Sequence, residues 1–191
     1  NIQYDGIMFD TVWKRVQIDR PKVIAICDVS GSVSQVARFL LLFLYSVSEI
    51  IPKVRSFAFS NYLGEVTELF ENNSAEVALA ETIKQWGSGS TDYGGALSEL
   101  ERLIGHEIDH RTTVLILGDA RSNYGDSGHL ALRRIHNRAK KVLWLNPEPR
   151  SFWNTGDSEM QKLGACCDRV DPCRTLNHLE RIISDIARTA A

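Results

Sequence analysis

The sequence contains no Walker-type Gly-x4-Gly-Lys-Ser/Thr, and no Gly-x-Gly-x-x-Gly opens a helix after a strand. A phosphate cradle needs backbone N–H groups and a lysine at fixed spacing, so nucleotide binding of that kind has no support. Residues 87–95 are rich in glycine but hold no lysine. Basic charge is scarce too: 22 Lys and Arg stand against 24 Asp and Glu, and no basic run exceeds two residues. That balance excludes a nucleic-acid partner. The longest apolar stretch, between Arg38 and Glu49, includes Ser46 and Ser48 and is too short to cross a bilayer, which excludes a membrane partner. Four cysteines occur, Cys27, Cys166, Cys167 and Cys173, without a CxxC pair. They read as reduced structural thiols rather than zinc ligands. With no recognisable secretory signal and no need of an oxidising compartment, a cytoplasmic location is expected.

What is present suits one soluble domain. A chain of 191 residues with 43% hydrophobic content can bury a sizeable core without staples. The first residue is not Met, and a fragment of a longer chain is expected. Residues 1–20, with Trp13 and Val16 as anchors, read as an arm or linker, and residues 21–191 as the domain.

The chain is organised around residues 23–34, Val-Ile-Ala-Ile-Cys-Asp-Val-Ser-Gly-Ser-Val-Ser. The apolar first half predicts a strand buried on both faces. At Asp28 the pattern turns small and polar, and helical apolar residues resume at Val36. Asp28, Ser30 and Ser32 alternate in that turn and can aim three oxygens at one point, with Gly31 easing the bend. Hard oxygens converging at a helix start suit a small divalent cation such as Mg²⁺.

Further along, the pattern predicts a helix over 34–51 that is apolar almost all round, and a hairpin of strands over 54–59 and 65–70. Helices follow over 74–86, with Ser74 as cap, and from about 93 to 104. Buried strands are expected over 112–117 and 141–145, helices over 130–140, 157–163 and 175–188. Alternating buried strands and helices imply an α/β fold with a mostly parallel central sheet covered on both faces. Ligands in such sheets sit beyond the carboxyl ends of the strands, where Asp28 and Asp119 both fall.

Each candidate also has a bland role. Ser32 or Ser34 can cap the long helix, Thr91 the helix behind it, and Asp119 can hold a turn N–H. Helix caps alone do not explain aspartate-bearing polar loops at the ends of two core strands. Asp92 reads as a cap.

Asp-x-Ser-x-Ser after an apolar strand, together with Thr91 in Gly87-Ser88-Gly89-Ser90-Thr91-Asp92 and Asp119 after Val114-Leu115-Ile116-Leu117, resembles the metal-ion-dependent adhesion site (MIDAS) of von Willebrand factor A domains. Phe57-Ala58-Phe59-Ser60, Gly89-Ser90-Thr91-Asp92-Tyr93-Gly94 and Val142-Leu143-Trp144-Leu145-Asn146-Pro147 are similar to the CoxE-like bacterial branch. The resemblance implies a three-layer Rossmann-like fold with one antiparallel edge hairpin. It implies that Ser30, Ser32 and Thr91 bind Mg²⁺ (or Mn²⁺ or Ca²⁺) directly, and that Asp28 and Asp119 support them, often through water. It further implies an adaptor working beside a MoxR-type AAA+ ATPase in assembling or activating a metalloenzyme or other complex. The third element departs from the usual Ser-Asp-Gly: Gly118-Asp119-Ala120-Arg121 places a guanidinium that either pairs with Asp119 or clamps an acidic partner.

Two carboxylates only neutralise a divalent ion, so it is expected to accept an Asp or Glu from a protein partner. Arg121 and Arg150 are expected on that rim, with Phe152 and Trp153 as apolar anchors. The alternatives are a metal-assisted phosphohydrolase using Asp28 and a structural domain with a degenerate metal site. Ser30 stands where aspartyl-phosphate chemistry wants a second Asp, and the five histidines fall away from the sheet edge. The expectation is therefore a non-catalytic interaction domain.

Overall fold

The computed structural model describes residues 22–31, 34–51 and 53–190; the expected arm over 1–20, with Trp13 and Val16, and the candidate ligand Ser32 lie outside the described residues. The described strands are β1 (Lys22–Asp28), β2 (Val54–Phe59), β3 (Leu63–Glu65), β4 (Thr112–Leu117), β5 (Lys141–Asn146) and β6 (Arg169–Pro172). The helices are α1 (Ser34–Ile50), α2 (Thr67–Asn72), α3 (Ala75–Trp86), α4 (Tyr93–Ile104), α5 (His129–Arg138), α6 (Met160–Gly164) and α7 (Leu176–Ala190). The six described strands form one sheet in the order β3-β2-β1-β4-β5-β6. Only the β2–β3 pair is antiparallel.

Strand β1 is central, with β2 on one side and β4 on the other. Its alternate residues feed two cores. Val23, Ala25 and Cys27 pack with α1, α3 and α7, whereas Ile24 and Ile26 pack with α4, α5 and α6. An apolar run without polar alternation has this consequence, because both of its faces are covered. The chain first leaves β1 toward β2 and later returns to β4 on the other side. The crevice between the carboxyl ends of β1 and β4 is therefore the switch point where such sheets place their ligands.

Several expectations need correction. The second strand of the hairpin ends at Glu65, and residues 67–72 form helix α2 rather than continuing the strand. Val66 and Phe70, four apart, both turn into the core, while the Thr67 hydroxyl accepts a bond from Ser56 N at 2.9 Å. Edge strand β6 carries no alternating signal, contains Pro172 and went unexpected. Helix α1 buries Leu40, Leu41, Phe43 and Leu44, but Leu42 is 43% exposed, so it is packed on fewer sides than its composition suggested. Ser74 occupies the cap position of α3 without a side-chain bond. The cysteines split between faces: Cys173 belongs to the α1-side core and Cys166 to the other. Among the described residues no group of three or more His, Cys, Asp or Glu side chains is arranged to hold a metal.

Candidate metal centre

Asp28, the last residue of β1, is fully buried. Its Oδ1 accepts a bond from Ser30 N at 2.9 Å, and Oδ2 is buried with no hydrogen-bond partner among the described residues. An unpaired carboxylate oxygen inside a protein is costly, so such an atom points to an absent partner. The Thr91 hydroxyl donates to Ser30 Oγ at 2.7 Å, which joins the loop before α4 to the loop after β1. Asp119, just past β4, is 7% exposed, and its Oδ1 accepts from Arg121 N at 2.9 Å. The structure thus brings Asp28, Ser30, Thr91 and Asp119 to one edge. It says nothing of Ser32.

The electrostatics follow from two buried carboxylates in one crevice. Burial, and then the charge of Asp28, push the Asp119 carboxyl up to about 7. Burial likewise raises Asp28, against the opposing Ser30 N–H bond and the nearby Ser30 and Tyr93 hydroxyls. Tyr93, from the start of α4, is fully buried beside both acids, and burial followed by their charges pushes its phenol up. Its oxygen accepts from Ala120 N at 3.2 Å.

These donors fit a small hard cation. Two ligands at right angles around Mg²⁺ stand about 3 Å apart, close to the Thr91–Ser30 separation. A divalent ion would give Asp28 Oδ2 a partner and relieve the repulsion that raises Asp119. The set contains no thiol or imidazole, which suits Mg²⁺ or Mn²⁺ better than a softer metal.

Three features escaped the sequence reading. Trp144 Nε1 donates to the Gly118 carbonyl at 2.8 Å, and Asn146 Nδ2 to the Asp119 carbonyl at 3.0 Å, so β5 holds the loop that carries Asp119. The Trp-Leu-Asn-Pro element was the visible signal, though nothing in it named these acceptors. Arg121 takes neither expected role. Its fork grips Glu148 at 3.0 and 2.9 Å, and Nη1 reaches Asp157 at 2.9 Å. Arg150 lies over the Trp153 ring at 5.1 Å and donates to the Val170 carbonyl at 3.3 Å. Trp153 packs down on the core and Phe152 stays 54% exposed. Asp92 caps α4 through Gly95 N at 2.8 Å, as expected.

Gly118 shows how tightly the centre is built. A Cβ there would stand 2.0 Å from the Tyr93 hydroxyl and 3.0 Å from Asp28 Cβ. Gly118→Ala is expected to cost about 1–3 kcal/mol of stability and to displace Asp28, so that metal binding is lost. Urea unfolding and Mn²⁺ titration would check both; an alanine variant with wild-type stability and affinity would contradict this packing.

No curated protein matches this sequence. Among solved structures, the chain is similar to the von Willebrand factor type A from Catenulispora acidiphila, at 14% identity and a TM-score of 0.63 over 87% of this chain and 42% of that one. It is also similar to proximal thread matrix protein 1 from the mussel byssus, at 12% identity and TM-score 0.62 over 87% of this chain and 47% of that one. A third is the manganese-loaded TRAP protein of Plasmodium vivax, at 12% identity and TM-score 0.62, covering 91% and 74%. Another form of the mussel protein is described with a zinc-occupied MIDAS motif. The chain spans less than half the length of the first two, and at these identities the likeness concerns the fold. The sequence itself matches a family over residues 1–182, nearly its whole length. On that match, the chain belongs to the family of VWA domain containing CoxE-like proteins.

Proposed function

We propose that this chain is a non-catalytic, metal-dependent protein–protein interaction domain. Asp28, Ser30, Ser32, Thr91 and Asp119 hold Mg²⁺ or Mn²⁺, and an Asp or Glu from a protein partner completes the shell. The observation that carries this reading is the buried, unpartnered Oδ2 of Asp28 in a crevice shared with Asp119 and the linked hydroxyls of Thr91 and Ser30. Metal-loaded neighbours of the same fold, one with manganese and one with zinc, support it. A groove of about 610 Å³ opens beside Thr91, past Asp92, Gly94, Gly95 and Asn123, and offers a partner room at the ion. Full burial of Asp28 argues against a phosphoryl-accepting nucleophile, which must meet its substrate. Family membership supports an adaptor role beside a MoxR-type AAA+ ATPase. Four free cysteines favour the cytoplasm, and among the described residues no helix is long and apolar enough to cross a membrane.

The test is thermal melting in EDTA and in millimolar Mg²⁺ or Mn²⁺, followed by partner capture under the same conditions. An ion that binds only the folded state stabilises it by about 2.7 kcal/mol at a hundredfold excess over Kd. The midpoint should rise with metal in the wild type and stay fixed in Asp28→Ala. Partner recovery should fall with EDTA and with Thr91→Ala. A midpoint indifferent to both metals would leave only helix capping and turn structure.

A further inference from the structure

We propose that Asp157 and Asn123 are positioning residues of the metal centre, which fix the loop carrying Thr91 relative to the loop carrying Asp119. The inference rests on the metal reading above and concerns residues outside the sequence motif. Thr91 and Asp119 approach from separate loops, and a ligand set spread over loops holds an ion well only when their spacing is fixed.

A continuous line of hydrogen bonds supplies that spacing. Asn123 Nδ2 donates to the Thr91 carbonyl at 3.2 Å. The backbone N–H of Asn123 donates to Asp157 Oδ2 at 3.1 Å. Asp157 Oδ1 accepts from Arg121 Nη1 at 2.9 Å, while Arg121 N holds Asp119 Oδ1 at 2.9 Å. Arg121 is fastened in turn by its fork on Glu148. Asp157 thus divides its two oxygens between the Thr91 side and the Asp119 side. The guanidinium already has a bidentate partner in Glu148, so neutralising Arg121 does not account for Asp157.

The backbone supports the same conclusion. Asn123 and Tyr124 both lie in the left-handed region, at φ 49° and 62°. Residues with side chains seldom adopt it, and asparagine does so more readily than most. That conformation aims the N–H of Asn123 at Asp157 and its carboxamide at Thr91. Strain of this sort at a ligand loop marks a geometry that the fold maintains for a purpose.

The test uses the full 191-residue chain and Mn²⁺ alone as probe. Asn123→Gly deletes the carboxamide at a φ that glycine accepts freely. Asp157→Asn keeps the size but leaves one acceptor oxygen for two donors. Each variant should lose about tenfold in Mn²⁺ affinity, the usual scale for groups that orient metal ligands. The double variant should lose no more than the weaker single, because both residues act through one line of bonds. Oxygen-17 broadening of the Mn²⁺ resonance should show an additional bound water, where Thr91 no longer reaches the ion. A merely structural role would lower the melting point and leave that water count unchanged. Wild-type affinity in both variants, losses that multiply in the double, or an unchanged water count would overturn the proposal. If Asp157→Asn does not fold, Asn123→Gly decides by the same two readouts. Failure of the wild type to bind Mn²⁺ would sink the metal reading itself and this inference with it; weakening confined to the variants would not.

Discussion

Trp144→Ala is expected to destabilise the domain by about 3–5 kcal/mol. Trp144 is the largest fully buried side chain among the described residues, set in β5 between α4, α5 and α6. Its ring lies 5.6 Å from that of Tyr93, which in turn meets Phe59 edge-on at 5.0 Å. Removing it empties one end of that stack, against Tyr93, and close-packed neighbours collapse only partly into the void. Domains of this size hold about 5–15 kcal/mol in all, so the variant should sit near the limit of folding. Trp144→Phe separates packing from hydrogen bonding. It keeps most of the ring and orphans the Gly118 carbonyl, at a cost of about 1–3 kcal/mol. Urea denaturation of the three proteins would check the order wild type, Phe, Ala. A phenylalanine variant as unstable as the alanine one would mean that the indole N–H, not the packing, carries the effect.

The second large effect is a dependence on pH that metal should abolish. The Asp119 carboxyl stands at about 7 in the fold, above its ordinary 3.8, through burial and the neighbouring Asp28. A raised carboxylate favours its protonated form in the folded state. Its stabilising contribution is therefore complete below about 3.8 and is lost as pH rises through 7. A displacement of that size corresponds to on the order of 4 kcal/mol. In EDTA, Asp119→Asn should be more stable than wild type at pH 8, and the difference should vanish near pH 4. Saturating Mg²⁺ at pH 8 should restore the wild type, because the ion replaces the proton as partner of the two acids. Chemical denaturation of both proteins across this range, with and without metal, measures it. An Asp119→Asn variant that gains nothing at pH 8 in EDTA would show that the two acids are not crowded.

The strands that carry the centre were legible because they are buried on both sides. Nothing polar interrupts the apolar cores of β1 and β4; β1 ends at Asp28 and Asp119 follows β4 after one glycine, so strand, turn and acid lie close together in the sequence. The periphery was less legible. Residues 65–70, Glu-Val-Thr-Glu-Leu-Phe, alternate only at their start, and Val66 and Phe70, four apart, satisfy a helix; the bond from Phe70 N to the Val66 carbonyl at 3.0 Å shows that the helical period holds. Strand β6 is four residues at an edge, too short and too mixed for any periodicity to identify it.

Local pattern alone determined that two acidic loops follow two core strands, and that Thr91 stands in a small-residue loop before a helix. Tertiary structure decided that those strands are neighbours, since the order β3-β2-β1-β4-β5-β6 depends on which way the chain turns after β1. It also decided the fate of Arg121. The sequence offered Asp119 or a partner; the fold supplies Glu148 and Asp157, which lie 27 and 36 residues away. A pattern read over one strand or one helix carries no term for such distances, because contact between remote segments follows from how whole faces pack together.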